Sequence, residues 1–238
     1  MGGDISQLWA QYWAWIEQFD ADHHLFRGES GQNEIKPKIG RPEYSYSKTR
    51  EKILFDQFKR LARSYVAAPV STDWEWLALA QHHGMPTRLL DWSSSPLVAA
   101  WFAVSSYPLD RDCFLYALDT VAGAVEGFDI STCRSVKRNH SFGHPFEIQS
   151  DVYVIETAPV SQRITTQRGL FTLHGDPEAP FVVSDAMTFK IPVALRDEFQ
   201  KKLLSVGIDY SHIFPDLDGL CKSLDWKHKL RIGMSPVA

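Results

Sequence analysis

Cysteine is scarce in this chain: Cys113, Cys133 and Cys221 are the three among 238 residues. Their number is odd, their spacing is wide, and none forms a Cys-x-x-Cys pair. That excludes a disulfide framework and a zinc site of that type. It suits a reducing compartment, so the expected localisation is cytoplasmic. Apolar runs long enough to cross a bilayer are missing, as is a secretory leader pattern. Met1 to Ser6 match a short acylation pattern that often arises by chance, and the match is taken as coincidence. No membrane partner is expected.

Long basic blocks are missing too. With 25 Lys and Arg against 29 Asp and Glu, the net charge is -4. The densest basic stretch, Arg134 to His140, reads as a solvated loop. General nucleic-acid binding gains no support from such electrostatics, while a local basic pocket stays open. No phosphate-binding Gly-Lys loop, Gly-x-Ser-x-Gly, His-Glu-x-x-His or Gly-x-Gly-x-x-Gly occurs. Pro215 to Gly219 is a fragment of a calcium loop without its later ligands or terminal Glu. It reads as a helix-capping turn, and no metal is expected.

What the chain does have is aromatic side chains: fourteen Phe, eight Tyr and eight Trp. With that much apolar surface to bury, disorder is not expected. Ile5, Leu8, Trp9, Tyr12, Trp13, Ile16 and Phe19 follow helical spacing. His24 to Gly28 reads as a short strand, followed by a long polar loop. A second helix is expected from about Ser47 to Tyr65, with Leu54, Phe58, Leu61, Ala62 and Tyr65 inward. Thr72 and Glu75 form a capping box for a third helix, which Gly84 and Pro86 end near His83. Ser95 and Pro96 suit the N-cap and first position of a buried helix.

Beyond Pro108 the texture turns to strands: Cys113–Asp119, Val152–Ala158, Gly169–Gly175, Phe181–Ser184 and Met187–Pro192. A helix marked by Leu195, Phe199, Leu203 and Val206 follows, closed by Gly207, and a last one lies near Phe214 to Leu230. Cys113 is expected in the core. The class is α+β: N-terminal helices followed by a mainly antiparallel sheet. A single domain is expected over residues 1–238, with an N-terminal helix in 1–22 and the core in 23–232.

Three segments can carry chemistry. Arg27 stands at a strand end beside Gly28. Its guanidinium is rarely buried alone, so it takes either an anionic ligand or an ion pair with Asp91 or Glu29. Ala80 to Ala103 gathers His82, His83, Thr87, Arg88, Asp91, Trp92, Ser93 and Ser94 between two helices. Hydroxyls and free N–H groups at a helix start favour an anion or an oxygen-rich ligand; plain capping explains the same serines. His83 before Gly84 is a candidate base or a helix C-terminal residue. In the third segment, Arg163 to Asp176, Gln167 and Arg168 precede Gly169 and a strand. Gln167 there is either a hydrogen-bonding amide or part of a solvated turn.

Together "LFRG", "AQHHGMPTRLLDWSSSPLVAAWFA", "RITTQRGLFTLHG" and "GIDYSHIFPDLDGLCKSL" resemble the FRG domain family. The aromatic-Arg-Gly signature is Phe26, Arg27 and Gly28, and the likeness runs from about His24 to Leu224. The family occurs in bacterial and phage-related proteins. A more distant resemblance, to ADP-ribosyltransferases of the Arg-Ser-Glu type, implies a split sheet with a central cleft and NAD as substrate. It also implies an effector of toxin or phage-defence type and an unidentified protein or nucleic-acid acceptor.

Carried over by that resemblance, Arg27 holds the phosphates or nicotinamide ribose, Ser93 or Ser94 takes the serine position, and Gln167 falls nearest the glutamate. Arg27, Ser93 and Gln167 are then the catalytic candidates. Gly28, Glu29, His83, Arg88, Asp91, Trp92, Ser94 and Phe102 are the binding candidates, with Trp92 or Phe102 supporting the nicotinamide. Gln167 is neutral where the pattern has a carboxylate, so Glu29, Asp91 or Asp176 substitutes, the rate is low, or the site only binds. A NAD-cleaving transferase or glycohydrolase, a non-catalytic nucleotide- or anion-binding module, and an interaction domain with Arg27 in an internal ion pair all remain open.

Overall fold

The structure, a computed structural model, describes residues 4–20, 22–32, 34–66, 69–121, 125–129, 134–136, 141–156, 166–184, 187–230 and 232. Met1 to Gly3, Cys133, residues 137–140, Ala158 and residues 163–165 lie outside them. Eight strands are defined: β1 (His24–Glu29), β2 (Leu89–Ser93), β3 (Cys113–Asp119), β4 (Glu126–Asp129), β5 (Arg134–Ser135), β6 (Val152–Ile155), β7 (Gly169–His174) and β8 (Thr188–Ile191). They form one open sheet in the order β5-β4-β6-β7-β2-β1-β3-β8. Every neighbouring pair is antiparallel except β4 with β6.

Period-two alternation decides which side chains meet which layer. In β3, Cys113, Leu115 and Ala117 join the cluster under α1 (Ile5–Ile16), α4 (Pro96–Ser105) and α5 (Arg196–Ser205), where Tyr12, Trp101 and Phe199 pack. Phe114, Tyr116 and Leu118 face the other side and meet Leu25, Leu90 and Trp92. Across the strands beyond β2, α2 (Lys48–Ala62) and α3 (Asp73–His82) cover Leu89, Tyr153, Phe171 and Leu173. Helices thus cover one face. The second face is closed partly by Ile35 and Phe181, whose backbones pair at 2.8 Å. Two further helices, α6 (Tyr210–Ile213) and α7 (Leu217–Lys229), are the last described elements.

Local signals act as the sequence leads one to expect. Thr72 accepts from the Glu75 amide at 3.2 Å while Glu75 accepts from the Thr72 amide at 3.0 Å. Ser95 caps α4 with Pro96 inside its first turn. Asp216 caps α7 through the Gly219 amide at 2.7 Å, so the Pro215–Gly219 stretch is a capping turn. Cys113 is fully buried, and burial pushes its thiol up to about 11.

Four expectations change. Leu89 to Ser93 is a central strand, not a turn between helices. Phe181 to Ser184 makes an isolated bridge rather than a strand. Arg134 and Ser135 form an edge strand instead of opening a loop. In α2 Phe58 and Ala62 pack against the core as expected, but the buried residues are Glu51 and Phe55, while Leu61, and Tyr65 after the helix, are exposed. The helix is turned so that Glu51 meets the buried Arg88.

Candidate functional site

β1 and β2 meet at one register pair, Phe26 with Ser93. Beyond it the two strands part in the middle of the sheet. Arg27 spans the gap: its Nη1 donates to the Asp91 backbone carbonyl at 2.7 Å, while Nε and Nη2 donate to Glu29 Oε1 at 2.8 and 2.5 Å. Burial works against the Arg27 charge, but the carboxylates of Glu29 and Asp91 outweigh it and raise the pKa. The ion-pair partner is therefore Glu29, with Asp91 contributing its carbonyl oxygen.

Gly28 does a different job from the one its neighbour suggests. A Cβ there would lie 2.0 Å from the Ala99 carbonyl oxygen and 2.6 Å from the Ala103 nitrogen. The glycine lets β1 lie flush against α4; close approach is needed for packing, on the helix side of the strand.

Asp91 is oriented from α3. Its Oδ2 accepts from Gln81 Nε2 at 2.7 Å, and Gln81 Oε1 accepts from Thr87 Oγ1 at 2.6 Å. Ser93 Oγ donates to the Gln167 carbonyl at 2.6 Å and accepts from the Ser95 amide at 3.0 Å. The Ser94 amide donates to the Arg168 carbonyl at 3.2 Å. Gln167 Nε2 donates to the Ile213 carbonyl at 3.1 Å, which ties the turn before β7 to α6. Arg168 between them has a left-handed φ of 47°, unusual for a residue with a Cβ.

These groups surround a cavity of about 900 Å³, within the ~300–1,000 Å³ of small-molecule sites. Arg27, Gly28, Glu29, His83, Asp91, Trp92, Ser93, Phe102 and Gln167 all line it. So do Phe26, Gln81, His82, Phe171, Pro215 and Asp216. Of these, Gln81 reads in the sequence only as a helix position and Pro215–Asp216 only as a capping turn; they join the wall through α3 and α7 packing. Two candidates stand apart. Arg88 is wholly buried against Glu51, and Ser94 does not reach the lining. Asp176 is not on the wall either. The formal charges on the wall are one cation, Arg27, against Glu29, Asp91 and Asp216.

Behind the wall runs a buried chain. Trp92 Nε1 donates to Thr172 Oγ1 at 2.9 Å, and Thr172 Oγ1 meets His174 Nε2 at 2.9 Å. Burial, helped by Arg27 and Arg88, lowers the His174 pKa from 6.5 to about 3. The unfolded chain therefore binds a proton that the folded one refuses, and stability falls as pH drops from about 6.5 toward 3. Urea midpoints measured across that window are expected to decline, and His174→Gln is expected to flatten the decline. An equal slope in the variant would remove His174 as its source.

Among the described residues no group of three or more His, Cys, Asp or Glu side chains is arranged to hold a metal ion. No described helix is long and apolar enough to cross a membrane. The family model described as "FRG domain" matches residues 22–112. That span holds the Arg27, Asp91, Ser93 and Phe102 walls, while Gln167 and the 215–216 wall lie outside it. No curated protein and no solved structure matches the chain.

Proposed function

From the premise that this chain carries an FRG domain, at residues 22–112, we propose that its cleft binds NAD and cleaves the nicotinamide–ribose bond, passing ADP-ribose to an acceptor or to water. The observation that carries this reading is the wall itself: Arg27, Glu29, Asp91, Trp92 and Phe102 line one cavity of nucleotide size.

The chemistry explains the fit. When the bond from ribose C1 to the nicotinamide nitrogen breaks, its electron pair leaves on that nitrogen, which becomes neutral. Positive charge then sits on the ribose ring as an oxocarbenium. Fixed carboxylates facing that ring stabilise it, because they are oriented before the charge develops. Glu29 and Asp91 line the cavity, and their orientation is set by Arg27 and Gln81. They meet the need that the neutral Gln167 leaves. The incoming nucleophile forms the new bond at C1, and its proton passes to a carboxylate or to solvent.

Glu29→Gln is expected to keep the shape and lose the charge. NAD turnover, read as nicotinamide release, is expected to fall by about 100-fold or more, the scale of losing one preorganised electrostatic group. Melting temperature is expected to fall, because Arg27 loses its counter-charge, so turnover is read at a temperature where the variant is folded and is compared with its NAD binding. Wild-type turnover in Glu29→Gln would remove the carboxylate role. If the wild-type protein with candidate acceptors neither releases nicotinamide nor transfers labelled ADP-ribose, the catalytic reading fails.

One observation favours a second reading, a non-catalytic nucleotide-binding module. Ser93 Oγ and Gln167 Nε2 both bond to backbone carbonyls rather than presenting unengaged donors. Ligand-induced stabilisation without turnover is its expected signature.

A further inference from the structure

The large cavity is poor in positive charge, yet a smaller pocket beside it is rich in it. The small pocket has a volume of about 190 Å³ and shares Arg27, Gln81, Gly84 and Asp91 with the cavity. Its other polar walls are Lys38 and Arg41. Neither residue belongs to the signature segments, and both come from the polar loop after β1.

Local geometry explains their pairing. Lys38 to Gly40 form one turn of 3₁₀ helix, closed by the Arg41 amide donating to the Lys38 carbonyl at 3.3 Å. With three residues per turn, positions i and i+3 eclipse, so Lys38 and Arg41 project on the same side. The turn is anchored. The Ile39 amide donates to the Thr87 carbonyl at 3.3 Å, and a Cβ on Gly40 would lie 1.7 Å from the Pro177 carbonyl oxygen.

Among the described residues neither cation has a hydrogen-bonded counter-ion, and the pocket wall sets three cations, Arg27, Lys38 and Arg41, against one carboxylate, Asp91. Lys38 Nζ donates to the Gly84 carbonyl at 2.7 Å, which is a dipole and not a counter-ion. Among the described residues no hydrogen bond or ion pair engages the half-buried Arg41 guanidinium. Met85, Leu89 and Leu90 also border the pocket, and apolar neighbours strengthen a charge interaction beside them. The volume is several times the ~30 Å³ share of one water, which leaves room for a phosphate group. Arg27 borders the pocket, but its fork already holds Glu29.

We propose that this pocket is a phosphate-binding subsite, in which Lys38 and Arg41 hold the phosphate groups of the ligand whose sugar and ring lie in the main cavity. Only the second half of that statement rests on the nucleotide reading above. The assignment moves the phosphates off Arg27 and leaves that residue to hold the carboxylate.

Calorimetric titration of the full chain with inorganic pyrophosphate, AMP and adenosine tests it. Pyrophosphate and AMP are expected to bind, with adenosine at least tenfold weaker and both anions weakening as salt rises. Lys38→Ala and Arg41→Ala are each expected to weaken anion binding about tenfold. Arg41→Ala is expected to melt like the wild type, since its side chain bonds to no described residue. Pyrophosphate binding that survives both substitutions, no anion binding at all, or equal affinity for AMP and adenosine would overturn the subsite. Pyrophosphate binding that depends on Arg41 in a protein that neither binds nor consumes NAD would uphold the subsite and reject the NAD reading.

Discussion

Arg88→Met is expected to destabilise this protein by about 3–5 kcal/mol, more than any substitution on the cavity wall, because it leaves a buried carboxylate without its cation. The Arg88 side chain is 0% exposed and that of Glu51 is 3% exposed. Nε and Nη2 of Arg88 donate to the two Glu51 oxygens at 2.9 and 2.6 Å, a two-pronged pair. Nη1 donates to the Ile148 carbonyl at 3.2 Å, and the guanidinium lies 4.8 Å from the centre of the Phe146 ring. Tyr46 closes the cluster by donating to Glu51 at 3.2 Å, and burial with the Glu51 charge raises its pKa to about 12. Urea unfolding measures the effect. The double variant Glu51→Leu with Arg88→Met is expected to be more stable than either single one, since no unpaired charge then remains. A single-variant cost below about 1 kcal/mol would contradict a dry, paired site.

The next largest effect is expected from the signature glycine. Gly28→Ala places a methyl 2.0 Å from the Ala99 carbonyl oxygen and 2.6 Å from the Ala103 nitrogen. Both obstructing atoms are backbone, so no rotamer relieves the clash and β1 or α4 has to shift. Overpacking of this kind costs about 1–3 kcal/mol and occasionally more, or roughly 6–12 °C in melting temperature at the upper value for a chain of this size. Gly84→Ala is the control. Its φ of +80° is strained for alanine, but nothing lies within 4 Å of the added Cβ. A loss of about 1 kcal/mol is expected there. If Gly28→Ala melts with Gly84→Ala, the glycine is not holding strand to helix.

Much of the candidate site was legible as residue types in short segments. Nine of the residues singled out from the sequence line the cavity: Arg27, Gly28, Glu29, His83, Asp91, Trp92, Ser93, Phe102 and Gln167. They stand out because an arginine, a histidine pair and serines at helix or strand ends are costly unless they find partners. Arg88 looks the same in sequence and goes elsewhere. Its neighbour Leu89 begins β2, and the charge is drawn under the sheet to Glu51, 37 residues away. Lys38 and Arg41 give no signal in the sequence, because a polar loop with prolines carries no period from which to infer a shared side.

By itself the sequence determined the pieces whose partners lie within one turn. These are the capping box of α3, the Ser95–Pro96 start of α4, the Asp216 cap of α7 and the alternation that sorts β3 between two layers. Each depends on contacts spaced two to four residues apart, so local order suffices. The tertiary structure alone decided that β1 and β2 separate after a single pair, that Arg27 reaches the carbonyl of a residue 64 positions away, and that Glu51 turns inward. Those outcomes follow from strand register and from where buried charges find counter-charges, and both are set only when distant segments pack together.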